Sequence, residues 1–220
     1  MFTVYTVGHS TYSPDLFLNL LQRHDVNCVI DVRSVPYSRY VMQYNRESIQ
    51  AYLKRNQVLY LYLGKELGAR PSDRTLYAAE GYLDFGKASQ SGLFQSGIKR
   101  VLAGLQKGYR IALMCTEKDP IDCHRAILIG KELQNNSCSV IHIEEDGKTE
   151  TQAQLEERLL NHYFPNWAQK ALFVDEDNLT RDELTLKSYQ LKNKEIGYSL
   201  DTGNKEVSHE DLYGGVYYSL

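Results

Sequence analysis

Cys115, Glu117, Cys123, His124 and Arg125 fall within eleven consecutive positions, in the stretch MCTEKDPIDCHRA (114–126). Two thiols, a carboxylate, an imidazole and a guanidinium at this density suit several chemistries. A thiolate at the start of a helix, beside a cation, is a nucleophile. An arginine next to free main-chain amides holds an anion. Glu117 can orient Arg125 or move a proton, and His124 is the residue type that does so near neutral pH. A zinc site is the rival use. Against it, Cys-x7-Cys-His lacks the paired short spacings of structural zinc sites, and its last two donors are adjacent in sequence. The spacing therefore argues against a metal, and no cofactor is indicated.

These residues need a scaffold, and the surrounding pattern supplies one. FTVYTV (2–7) and the near-continuous apolar runs VNCVIDV (26–32), VLYLYL (58–63), YRIALM (109–114) and CSVIHI (138–143) read as strands. Between them, apolar positions recur at helical spacing: Leu16, Phe17, Leu20 and Leu21; Ile49, Tyr52 and Leu53; Phe94, Ile98, Val101, Leu102 and Leu105; Leu155, Leu159 and Tyr163. Ser13-Pro14 reads as a helix start, and Asp122 as the residue capping the helix after the cysteine loop. Strands alternating with helices predict an α/β, Rossmann-like three-layer domain over residues 1–165. It should have about five mostly parallel strands and helices on both faces. Residues 166–220 are expected to be a C-terminal extension, with helical character in NLTRDELTLKSYQLKN and loop over the last twenty residues.

In an open parallel sheet, ligands bind beyond the carboxyl ends of the strands. The first strand ends in Gly8-His9-Ser10, the second in Asp31-Val32-Arg33 and the fourth in Met114-Cys115-Thr116-Glu117. His9, Ser10, Arg33, Cys115, Glu117, His124 and Arg125 should therefore meet on one rim. Arg125 and the helix dipole are expected to draw the Cys115 pKa down, against burial and Glu117. Cys28 and Cys138 sit inside apolar strands and read as core. His24, His142 and His162 read as structural.

Bulk properties exclude some classes. With 42% apolar and 24% charged residues, the 220-residue chain can fill a real core. No apolar run approaches the roughly 18 residues of a membrane span, and the N-terminus lacks secretory features. The four cysteines then read as reduced thiols of a cytoplasmic protein. A net charge of −3 gives no general pull towards nucleic acid. Residues 32–74 are nevertheless basic, with eight Lys/Arg against three acids, and six tyrosines are threaded through them.

TVGHST, VIDVRSVPYSR, LGAR and above all MCTEKDPIDCHR resemble the bacterial and archaeal domain-of-unknown-function family 488, over roughly residues 3–165. The matching positions are Gly8, His9, Ser10, Asp31, Arg33, Pro36, Ser38, Cys115, Glu117, Cys123, His124 and Arg125. Gly68-Ala69-Arg70 stands where family members often carry two glycines before the arginine. The resemblance implies the fold and the place of the site, and names no reaction. The layout of strand, cysteine, loop, arginine and helix also looks like that of rhodanese sulfurtransferases and cysteine phosphatases, although Cys115-x9-Arg125 is a longer loop without glycines.

Taken together, the residues suggest a small enzyme acting on an anionic, phosphate-bearing substrate, a nucleotide or nucleic acid. Cys115, His124, Glu117 and His9 would carry the chemistry. Ser10, Asp31, Arg33, Ser38, Arg70, Cys123 and Arg125 would bind substrate. The alternative is a non-catalytic module that binds nucleic acid through the tyrosine-rich segment 32–74. No membrane partner is expected.

Overall fold

The computed structural model describes residues 1–167 and 179–200. Strands β1 (Phe2–Gly8), β2 (Cys28–Asp31), β3 (Leu59–Tyr62), β4 (Ile111–Cys115), β5 (Cys138–Ile143) and β6 (Thr149–Thr151) form one sheet in the order β3-β2-β4-β1-β5-β6. The first five are mutually parallel, and β6 adds an antiparallel edge to β5. The helices are α1 (Pro14–Gln22), α2 (Arg46–Arg55), α3 (Gly64–Leu67), α4 (Phe85–Gln90), α5 (Gly92–Gln106), α6 (Lys131–Asn135), α7 (Gln152–Tyr163) and α8 (Arg181–Ile196). Among the described residues, no helix is long and apolar enough to cross a membrane.

Alternation along β4 divides the core in two. Ala112 and Met114 pack with Phe17, Leu20, Leu21, Ile49 and Leu53, the apolar stripes of α1 and α2. Ile111, Leu113 and Cys115 point the other way, into a cluster with Ile98, Val101 and Leu105 of α5 and Leu155 and Leu159 of α7. Both faces of the central strands are thus covered, which is why they read as continuous apolar runs. Ser13 caps α1 by accepting from the Leu16 amide at 3.2 Å, with Pro14 in the first turn.

One local expectation is corrected. Asp119, not Asp122, caps the short turn Pro120–Asp122, accepting from the Ile121 amide at 3.0 Å. Asp122 instead pairs with Lys192 at 2.6 Å. The glycine- and proline-containing stretch 64–90 contains the short helices α3 and α4. Both are too short to show a helical period.

Within the expected extension, α8 packs on α7 and buries Ser188, Tyr189, Lys192 and Asn193. The Asn193 side chain accepts from the Phe85 amide at 2.9 Å and donates to the Leu83 carbonyl at 2.8 Å, so it stitches α8 to the loop before α4. The loop expected over 201–220 lies outside the described residues.

Candidate functional site

Cys115 is the last residue of β4, the strand flanked by β1 and β2. Its carbonyl accepts from the His9 amide at 2.9 Å, and Thr116 accepts from Ser10 at 2.8 Å, so the chain after β1 runs alongside the cysteine loop. The approach is close at Gly8. A Cβ there would stand 1.8 Å from the Glu117 carbonyl oxygen, so only glycine lets the loop cross at this height.

The loop folds back on itself and delivers four donor atoms to one place. One Glu117 oxygen, Oε2, lies 2.9 Å from Cys115 Sγ and 2.9 Å from Cys123 Sγ. His124 Nδ1 lies 3.7 Å from Cys115 Sγ and 3.9 Å from Cys123 Sγ. All four donor atoms fall within 4.8 Å of one another. A tetrahedral site with Zn–S near 2.3 Å and Zn–N near 2.0 Å has S–N edges of about 3.6 Å. The donor set has the size and composition of a zinc site.

The spacing argument against chelation fails on backbone conformation. Cys123 is extended (φ −133°, ψ 137°) and His124 is helical (φ −59°, ψ −22°). That switch between neighbours turns both side chains towards the same point. Beyond it the chain runs on as a π-helical turn, Arg125–Gly130, before α6.

The surroundings fix the donors. His124 Nε2 faces the Val32 carbonyl at 3.2 Å. A carbonyl only accepts, so Nε2 carries a proton, and Nδ1 is the ring nitrogen that faces the sulfurs and could bind a metal. The Arg125 amide donates to Cys123 Sγ at 3.4 Å. The Arg125 side chain is fully buried, donating from Nη1 to the Glu117 carbonyl at 2.7 Å and from Nη2 to the Lys118 carbonyl at 2.9 Å. This guanidinium clamps the loop from beneath. It does not face out as an anion receptor.

Arg33 is committed in the same way. Its Nε and Nη2 bind both Asp31 oxygens, at 2.9 and 2.6 Å, Nη2 also reaches the Tyr44 carbonyl at 2.9 Å, and Nη1 donates to His9 Nε2 at 3.1 Å. Tyr60 completes the network by donating to Asp31 at 2.7 Å. His9 donates from Nδ1 to the Ser10 carbonyl at 2.9 Å and stacks on Tyr44 at 4.0 Å. With both ring nitrogens engaged, burial and the adjacent Arg33 charge hold its pKa down at about 3. His9 is a neutral positioning residue here, poorly suited to act as a base.

Burial and the neighbouring groups act together on the thiols. Cys115 is 3% exposed, and burial, then Cys123 and Glu117, push its pKa well up. Cys123 is buried too, yet the Cys115 hydrogen bond and the Arg125 and His124 charges draw it well down. The expected direction for Cys115 is reversed, and Cys123 is the more acidic thiol. Burial raises the Glu117 carboxyl, helped by the Cys123 charge.

The remaining expected site residues lie apart from the four donors in their bonding. Ser10 has positive φ (44°), the left-handed turn that follows β1. The Ser38 hydroxyl accepts from the Tyr40 and Val41 amides at 3.1 and 3.2 Å. Arg70 is exposed and stacks over Tyr198 at 4.5 Å. Sequence reasoning missed the Val32 carbonyl, the Tyr44 carbonyl and Tyr60. A main-chain acceptor leaves no residue signature. Tyr60 could have been found, because β2–β3 pairing sets Val29 opposite Tyr60, two residues from Asp31.

An α/β sheet whose strand ends carry a Cys/Glu/Cys/His cluster is the class that fold and site define. The family model "Domain of unknown function DUF488" matches residues 13–131, more than half of the chain, and the chain belongs to that family. The matched span includes all four donors and ends at the start of α6, whereas Gly8, His9 and Ser10 precede it. No curated protein matches the chain, and no solved structure does either.

Proposed function

We propose that this chain is a zinc protein whose functional centre is Cys115, Glu117, Cys123 and His124, and that the centre serves an enzyme working on the rim beyond the strand ends. The observation that carries the reading is the convergence of the four donor atoms within 4.8 Å. Two thiolates and an imidazole favour zinc over harder divalent ions. Charge balance supports it as well. Two thiolates and a carboxylate exceed a divalent ion by one negative charge, and the buried Arg125 guanidinium offsets it. The Val32 carbonyl and the Arg125 amide supply the outer hydrogen bonds that metal ligands need. At such a centre zinc polarises a bound oxygen or makes water nucleophilic.

The phosphate-bearing substrate expected from the sequence rested on Arg33 and Arg125. Arg33 gives its guanidinium donors to Asp31, His9 and the Tyr44 carbonyl, and Arg125 gives Nη1 and Nη2 to main-chain carbonyls, so this reading gives both arginines a supporting role. Metal analysis of the full chain, purified without chelator, tests the proposal. The expected result is one zinc per chain, lost in Cys115→Ser and Cys123→Ser. Zinc should also shield these two thiols from iodoacetamide. Protein that arrives metal-free and takes up no added zinc would overturn the reading.

One observation favours a second reading, the nucleic-acid module. In the loop after β2, Tyr37 and Tyr40 are 52% and 55% exposed beside the exposed Arg39. The other tyrosines of the segment work inside the fold: Tyr44 is buried, and Tyr52, Tyr60 and Tyr62 bond to Asp15, Asp31 and the Ser34 carbonyl. Affinity for a single-stranded oligonucleotide that falls steeply with salt would support this reading, and no binding at low salt would remove it.

A further inference from the structure

Four protein ligands ordinarily close a zinc site, whereas catalytic sites keep one position for water or substrate. The donors proposed above are not held equally. Cys115 ends the strand paired between β1 and β2, and its carbonyl is bonded to His9. Cys123 is tied on both sides, through its own amide to Pro120 at 3.2 Å and through its sulfur to the Arg125 amide at 3.4 Å. His124 is locked by Val32. All three are buried, at 3%, 1% and 7% exposure.

Glu117 differs. As a residue it is exposed although its carboxyl group is buried, and one carboxylate oxygen, Oε2, meets the two sulfurs. Its main chain is clamped by Arg125, so the side chain can swing without moving the loop. Among the described residues, no protein group donates a hydrogen bond to its carboxylate other than the two thiols, and these are the co-ligands themselves. An outer hydrogen bond of the kind that steadies His124 is missing from Glu117. It is also the one oxygen donor in a set that is otherwise sulfur and nitrogen, and the weaker partner for a thiolate-bound zinc.

We infer that Glu117 is an exchangeable ligand, whose carboxylate leaves the metal to open a single coordination position, towards solvent, for water or a small anionic donor. The inference rests on the zinc reading of the same cluster. In the exchange, the metal–oxygen bond to Glu117 breaks and a bond to the incoming oxygen or nitrogen atom forms, with no change of oxidation state. When water enters, the displaced carboxylate stands beside it and can take one of its protons. Cys115, Cys123 and His124 stay bound throughout. The centre is then a three-ligand catalytic site with a carboxylate gate, open to a small electrophile at the rim.

The test uses cobalt(II) in place of zinc in the full chain, with azide as the probe ligand. Cobalt bound by Cys115 and Cys123 shows thiolate charge-transfer and tetrahedral d–d bands. In the wild type, azide should shift the d–d bands saturably while the thiolate bands persist. Glu117→Ala, with no carboxylate to displace, should bind azide at least tenfold more tightly. Bands of the d–d type that azide leaves unmoved in the wild type but shifts in Glu117→Ala would mean a closed ligand, and would overturn the inference while leaving the zinc centre standing. Equal azide affinity in the two proteins would mean that Glu117 is no ligand, and bands unmoved in both would mean that no position opens. Either result also overturns it. No thiolate band in the wild type would overturn the zinc reading itself, and the inference with it.

Discussion

His124 Nε2 lies 3.2 Å from the Val32 carbonyl oxygen, which ties the imidazole to the chain just beyond β2. The ring is thereby oriented, with Nδ1 at 3.7 and 3.9 Å from the two sulfurs. His124→Ala should weaken zinc binding by more than the 10–100-fold that losing an outer hydrogen bond costs. Competition against a chromophoric chelator measures this. An affinity unchanged within threefold would remove His124 from the ligand set.

Gly8→Ala probes the loop crossing. The added methyl meets the Glu117 carbonyl at 1.8 Å, against main chain that Arg125 holds from the other side. Stability should fall by about 3 kcal/mol, the upper end for forcing one methyl into packed structure. Zinc affinity should fall with it, because the displaced segment carries Glu117. Urea unfolding and a metal titration on the same protein check both.

His142 sets an acid limit on stability. Its Nδ1 accepts from the Thr6 hydroxyl at 2.8 Å, and its Nε2 donates to Gln152 Oε1 at 2.9 Å, so the buried ring is neutral with both nitrogens satisfied. Burial, then the nearby Arg125 charge, lowers its pKa from 6.5 to about 3. Between those values the unfolded chain holds the extra proton. The stability contributed is therefore complete above pH 6.5 and drains away as pH falls towards 3. At pH 4 the loss from this group is about 3 kcal/mol. His142→Leu should be less stable at neutral pH but show a flatter decline from pH 6.5 to 4, followed by urea midpoints.

Asn193→Ala tests whether α8 belongs to the fold. The change orphans the Phe85 amide and the Leu83 carbonyl, both bonded to that side chain. Two buried groups left unpaired should cost about 2–4 kcal/mol. Calorimetry of the variant gives the answer. A shift of the midpoint below one degree would mean that α8 is only appended.

The fold was legible because its signals are periodic. Apolar runs marked all five parallel strands, and the rule of strand ends pointed to the rim where His9, Arg33 and Cys115 lie. What escaped has no period. β6 is three residues long. The opposed backbone angles of Cys123 and His124, which turn the donor atoms of adjacent residues to one point, belong to a loop whose spacing alone argued against a metal. The arginines misled for a related reason. Composition shows a guanidinium but not its acceptors, and those of Arg125 are the carbonyls of Glu117 and Lys118. Both thiols are nearly sealed from water, and Cys123 rather than Cys115 is drawn down because the Cys115 hydrogen bond and the Arg125 and His124 charges favour its thiolate, contacts that spacing does not show.

The position of β1 has a consequence in time. It lies between β4 and β5, and its partners Ala112 and Cys138 come more than a hundred residues after it in the chain. At 5–20 residues per second, a ribosome leaves this first strand without its neighbours for on the order of 5–20 s. The segment 115–124 needs no such wait, because a ten-residue loop closes in about 10–100 ns. During synthesis, Cys115, Glu117, Cys123 and His124 can therefore meet an ion as soon as they emerge, before β5 exists to complete the sheet. Metal supply would then act on the yield of folded chain and not only on the finished protein.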